Sequence, residues 1–135
     1  MQWLIDMAKD AMQSVLDDYF SFTTRVPGVG PAKGVADFTQ DTNWHTIDMS
    51  AFIPSGSKVA LLQIAVGAAG AGPIFWIDRT TETNEFTPFT IKVQTPWESY
   101  NDQFLLDVSG GRELRYKITA GTFTWIYLEV LGSFK

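Results

Sequence analysis

From residue 37 onward the chain consists of short apolar segments separated by turn residues, and this pattern limits the fold more than any other feature. Segment 113–119 alternates strictly between polar and apolar residues, which predicts a strand with Leu114, Tyr116 and Ile118 facing inward. No helical pattern lies between the segments, so a parallel α/β sheet is disfavoured. We predict a mainly β fold, a jelly-roll-like antiparallel β-sandwich of about eight strands preceded by an N-terminal amphipathic α-helix.

Eight segments carry the strand signal. They are residues 38–39, 44–48, 58–66, 74–79, 89–94, 103–108, 113–119 and 122–131. The third of them is nearly continuous in apolar character, which predicts a strand covered on both faces. In the last one, period-two alternation predicts that Phe123, Trp125 and Tyr127 share one face.

Residues 2–20 are predicted to form the helix, because their apolar residues recur at helical spacing. The apolar stripe contains Leu4, Ile5, Ala8, Ala11, Met12, Val15, Leu16 and Tyr19. Acidic residues, Asp6, Asp10 and Asp17 among them, lie on the opposite face. A helix of this length is marginal in water by itself, so the stripe needs a partner. Two alternatives stay open: the helix folds back on its own domain, or it packs against copies of itself or another protein.

The segment after the helix favours the second alternative. Residues 26–34 contain two prolines and three glycines, a composition that breaks helices and central strands and is typical of a spacer. Residues 21–25 before it are predicted to be extended and to pair with a neighbour. We therefore divide the chain into a helix and extended segment (1–25), a linker (26–36) and a β-sandwich domain (37–135).

Charge and composition exclude several classes of function. The net charge is −5 and no basic block exists, so a nucleic-acid partner is not expected. The absence of cysteine excludes disulfides, thiolate metal sites and cysteine nucleophiles. No apolar run approaches the roughly 18 residues of a membrane span. Acidic residues near the N-terminus interrupt the apolar stretch that a signal peptide needs, so the protein is expected to stay where it is made.

The sequence also offers little that resembles catalytic machinery. The single histidine, His45, and the nearby Asp48 are predicted to lie on opposite faces of a strand, which does not suit a catalytic triad. Carboxylates that glycoside hydrolysis would use in pairs are predicted to be solvated turn residues; they are Asp78, Glu82, Glu85 and Glu98. The acidic pairs at 37/41 and 102/107 do not match a calcium-loop pattern. We predict no catalytic residues, no metal, no cofactor and no enzymatic activity.

One aromatic pair has the chemistry of a binding site. Trp97 and Tyr100 lie in the polar segment 95–102, between two predicted strands. Such rings beside acids and amides can stack on a sugar or anchor a protein interface. The alternative is that both rings cap one end of the sandwich core.

The stretches 44–50 and 53–62, together with the closing Gly121-to-Trp125 hairpin and residues 128–132, resemble small β-sandwich domains in virion proteins of tailed bacteriophages. Such domains occur in fibres, spikes and capsid decorations, and the resemblance covers residues 37–134. It implies a non-enzymatic virion structural protein, assembled in the host cytoplasm, that forms a homotrimer and docks through its N-terminal helix onto other virion proteins. The alternative function is a carbohydrate-binding module that recognises a host-surface glycan.

Overall fold

The computed structural model describes residues 1–22, 31–80 and 88–135. Helix α1 spans Gln2–Tyr19, and a short 3-10 helix spans Val35–Asp37. The strands are β1 Phe20–Phe22, β2 Lys33–Gly34, β3 His45–Asp48, β4 Val59–Gly67, β5 Ile74–Arg79, β6 Phe89–Lys92, β7 Tyr100–Asp107, β8 Glu113–Thr119 and β9 Trp125–Phe134. Within these ranges, no helix is long and apolar enough to cross a membrane.

The strands form two antiparallel sheets that face each other. The five-stranded sheet has the order β1-β9-β4-β7, with β2 also paired to β9, and the four-stranded sheet has the order β3-β8-β5-β6. Without β1, each sheet has four strands, in the orders β2-β9-β4-β7 and β3-β8-β5-β6. These are the strand orders of a jelly roll, in which two four-stranded sheets enclose the core. The structure thus confirms the predicted antiparallel β-sandwich and the helix that precedes it.

The core lies between the sheets and is built from alternate residues of each strand. On β4, Ala60, Leu62, Ile64 and Val66 are all fully buried. Phe75 of β5 lies at the centre of an aromatic cluster with ring contacts to three neighbours, Phe38, Tyr116 and Phe123. The prediction that Leu114, Tyr116 and Ile118 point inward is confirmed.

Three details of the strand prediction are wrong. Residues 38–39 form no strand. Phe38 directly follows the 3-10 helix, and its side chain is buried in the core although its backbone belongs to neither sheet. The last strand begins at Trp125, because the backbone of Phe123 pairs with the Gln40 side chain instead of a neighbouring strand. Phe123 consequently enters the core and does not share a face with Tyr127.

The third wrong detail concerns β4, which is covered on one face only. Its inward residues are fully buried, whereas the alternate residues Leu61, Gln63 and Ala65 are half-buried. An antiparallel sheet tolerates an uncovered face, so an apolar run did not require burial on both sides.

Strands β1 and β2 both pair with β9. Strand β1 pairs with residues 132–134, so residues 21–22, the described part of the segment predicted to pair with a neighbour, pair with their own chain. Strand β2, within the predicted linker, pairs with residues 127–128. Residues 23–30 lie outside the described part, and the division into a helix, a linker and a sandwich domain stays a prediction.

Candidate binding face

The uncovered side of the five-stranded sheet carries the candidate site. Paired residues of antiparallel strands point to the same side, so the register of β9, β4 and β7 fixes which side chains meet there. We call this surface the open face; it consists of Trp125, Tyr127, Glu129, Leu61, Gln63, Ala65, Gly67, Asn101, Gln103 and Leu105.

Two rows of the open face combine an aromatic ring with polar groups. Across the sheet, Ala65 of β4 pairs with Tyr127 on one side and Asn101 on the other. In the next row, Gln63 pairs with Glu129 and Gln103. Directly paired side chains have Cβ atoms about 5 Å apart, so one ring, three amides and one carboxylate lie within reach of one small ligand.

The β4 and β9 residues of these two rows form the floor of a concave pocket. Its volume is about 390 Å³, and it is lined by Pro31, Gln63, Ala65, Tyr127 and Glu129. Pro31 lies two residues before β2, whose pairing with β9 holds this part of the chain beside Tyr127. The Tyr127 side chain remains 47% exposed. The pocket is therefore large enough for a small ligand and presents an accessible ring to it.

At one end of the open face, the Trp125 indole lies directly on the backbone of Gly67. A Cβ atom added at Gly67 would be 1.8 Å from Cζ2 of Trp125, far inside van der Waals contact. Since any side chain at this position would collide with the ring, the glycine is what allows the indole to lie flat against the sheet. Trp125 is half-buried in this position.

The structure separates the two aromatic residues that the sequence predicted as a binding pair. The Tyr100 ring packs against the core, and its hydroxyl accepts the Thr95 N–H at 2.8 Å, which agrees with the capping alternative. Trp97 is 66% exposed, and its N–H donates to the Ala68 carbonyl at 2.8 Å. Its φ of 64° lies in the left-handed region, which is uncommon for a bulky residue. Trp97 is thus an accessible ring on a hydrogen-bonded loop.

The predicted docking stripe of α1 is exposed. All side chains from residue 1 to residue 15 are solvent-accessible, as is Tyr19, so Leu4, Ile5, Ala8, Ala11, Met12 and Val15 contact no part of the sandwich core. The Leu16 side chain lies outside the described part. Within the single chain, the helix therefore does not fold back on its domain. Docking through the stripe stays a prediction.

His45 is held by a carboxylate other than the one considered from sequence. Its Nε2 lies 2.6 Å from Oδ1 of Asp41, and its ring stacks on Tyr116 with centroids 5.6 Å apart. The hydrogen bond with His45, followed by the Asn43 N–H, holds the pKa of Asp41 below its ordinary value of 3.8. These contacts fasten the loop before β3 to β8. Asp48 instead accepts the Ser50 N–H, which lowers its pKa.

The other carboxylates considered from sequence are dispersed. Asp78 is buried and pairs with Arg115 at 3.1 Å, whereas Glu98 is exposed in the β6–β7 loop. Glu82 and Glu85 lie outside the described residues. Among the described side chains, no group of three histidine or acidic residues has the arrangement of a metal site.

Sequence analysis did not identify the pocket on the open face. Alternation within 122–131 predicted that Phe123, Trp125 and Tyr127 point the same way, which is correct for Trp125 and Tyr127 only. The missing information was the register that places Gln63 between Glu129 and Gln103, since strand pairing cannot be derived from one strand alone.

Comparisons with known proteins identify no family. No family model matches the chain, and a search of curated proteins gives no match. Among solved structures, the chain is similar to a carbohydrate-binding module (CBM6cm-2) from Cellvibrio mixtus lichenase 5A in complex with cellotriose. The sequences are 20% identical, the likeness covers 84% of this chain and 92% of that one, and the TM-score is 0.43. It is also similar to a CBM4 structure at 15% identity, covering 71% of this chain and 64% of that one, with a TM-score of 0.36. At these TM-scores, neither likeness bears on what this chain binds.

Proposed function

We propose that this protein is a non-catalytic binding module that holds a neutral saccharide on the open face of its five-stranded sheet. The observation that supports this most is the accessible Tyr127 ring beside Gln63 and Glu129 in a pocket of about 390 Å³.

The chemistry of the open face suits a sugar. The C–H face of a pyranose is apolar and stacks on an aromatic ring, whereas its hydroxyl groups donate and accept hydrogen bonds at the rim. The amides of Gln63, Gln103 and Asn101 can do both, and Glu129 accepts from hydroxyl donors. Among the residues that define the open face, none is cationic. A carboxylated or sulfated saccharide would meet no cationic side chain among these residues and would approach the Glu129 carboxylate, so a neutral saccharide is the better fit.

Binding is tested on the full chain with a glycan array, followed by calorimetry on the ligands that bind. We expect Tyr127→Ala to weaken binding at least about tenfold, because one stacked ring is worth on the order of 1.4 kcal/mol. Phe52→Ala is the matched control, since Phe52 is also an exposed aromatic residue but lies outside the open face. Each variant needs an unchanged circular dichroism spectrum.

Binding by the variants distinguishes a site on the open face from a site on the β6–β7 loop. Loss of binding in Tyr127→Ala with Phe52→Ala unaffected supports the open face. Loss in Trp97→Ala alone would move the site to the β6–β7 loop. The proposed function would be contradicted if no neutral glycan binds, or if Tyr127→Ala and Trp97→Ala both bind glycan as well as the wild type does.

As a second candidate function, we propose that the chain is a structural subunit of a tailed-phage virion that displays the sandwich. The supporting observation is the exposure of α1, which leaves the helix accessible to other protein chains in an assembly. Mass spectrometry of purified particles is the test, together with cryo-electron microscopy of particles that lack the gene. Particles that never contain the chain, and that show no missing density without it, would refute this candidate.

A further inference from the structure

We infer that α1 associates with the same helix of other copies of this chain, in a parallel bundle of at least three. Its apolar residues follow a heptad register in addition to lying on one helical stripe. The positions that correspond to a and d are occupied by Met1, Ile5, Ala8, Met12, Val15 and Tyr19. The spacing alternates between four and three residues without interruption, which is the repeat of helices that wrap around one another.

The positions beside this seam indicate more than two copies. Residues at e and g flank the a and d positions, and in a two-stranded coil they are usually charged. Here Leu4 and Ala11 occupy g positions and Leu16 occupies an e position, so half of the six flanking positions are apolar; the others are Gln2 and Lys9 at e and Asp18 at g. An apolar surface this wide is only partly covered by one neighbour, and two neighbours cover both of its flanks.

Exposed area and charge favour a copy of the chain over other occupants. The stripe is exposed along its described length, from Leu4 and Ile5 through Met12 to Tyr19, so packing against copies would remove this apolar surface from water. The outer face carries Asp6, Asp10 and Asp17, and the single lysine of the helix, Lys9, lies beside the seam at an e position. Helices that bind anionic membranes have the opposite charge. In a parallel bundle, these acids point to solvent and the seam itself contains no charge.

Light scattering coupled to size-exclusion chromatography measures the stoichiometry of the full chain. We expect a mass of at least about 45 kDa, three times the 15.1 kDa of one chain. Met12→Asp should reduce the mass to that of one chain, because the charge enters an a position. Met7→Asp is the matched control: Met7 is 61% exposed and Met12 66%, but Met7 lies off the seam. A monomeric wild type, a dimer, or equal loss of mass in both variants would overturn the inference.

The absence of cysteine allows a separate test of helix orientation. In a parallel bundle, Ile5 lies next to the Ile5 residues of other copies, so Ile5→Cys should form intermolecular disulfides under mild oxidation. Asp10→Cys, on the outer face, should form few. Both are read on non-reducing gels, with sandwich folding monitored by tryptophan fluorescence. Equal cross-linking at the two positions, or none at Ile5→Cys, would contradict the parallel seam. Neither outcome depends on glycan binding.

Discussion

The contact between Trp125 and Gly67 gives the sharpest prediction of stability. Replacing Gly67 with alanine would place a Cβ atom 1.8 Å from Cζ2 and 2.1 Å from Cε2 of the indole. Because carbon atoms pack at about 3.5–4.0 Å, the ring would have to move by roughly 1.5 Å or more. Overpacking of this kind costs about 1–3 kcal/mol in the free energy of unfolding.

Thermal and urea denaturation measure this cost. For about 135 residues, an unfolding entropy of ~2.1 cal/mol/K per residue makes 1 kcal/mol equal to about 3.5 °C in the midpoint, so we expect a decrease of roughly 4–10 °C. Gly70→Ala is the matched control, since a Cβ atom there meets nothing within 4 Å. That variant should be neutral or slightly stabilised, because alanine lowers the entropy of the unfolded chain.

A double-mutant cycle isolates the cause. Once Trp125→Ala has removed the ring, Gly67→Ala should cost little, which gives a coupling of at least about 1 kcal/mol between the two changes. If Gly67→Ala costs the same with and without the indole, or is as mild as Gly70→Ala, close approach of the ring does not explain the glycine.

Three further predictions concern the core, a buried ion pair and pH. Phe75→Ala should lower the free energy of unfolding by about 3–5 kcal/mol in urea denaturation, because Phe75 is fully buried; a loss below about 1.5 kcal/mol would argue against a tight core. Asp78→Ala should lower the free energy of unfolding by about 3 kcal/mol, because it removes the buried carboxylate that pairs with Arg115. The double variant Asp78→Leu with Arg115→Met should recover much of that stability. A double variant as unstable as Asp78→Ala would contradict this prediction. The Ser109 hydroxyl and N–H donate to Asp107 and lower the pKa of its carboxyl below 3.8. The stability that Asp107 contributes is therefore fully present well above pH 3.8 and is lost as the pH falls toward the pKa of the folded state. Between pH 7 and pH 3, the free energy of unfolding should decrease less in Asp107→Asn than in the wild type, and an equal decrease in both would contradict this account.

The fold class could be predicted from the sequence alone, because the responsible signals are local. Strict alternation over 113–119 is a property of one strand, and it predicted the inward residues of β8 correctly. The helical period of residues 2–20 is equally local, and α1 spans all of them except Phe20, which begins β1.

Tertiary structure decided which residues meet across strands. Gln63, Glu129 and Gln103 are far apart in sequence, and only the register of β4 with both neighbours brings them into one row. The approach of Trp125 to Gly67 has the same origin. Alternation states which way a side chain points but not which strand lies beside it, since pairing depends on how all the strands enclose one core.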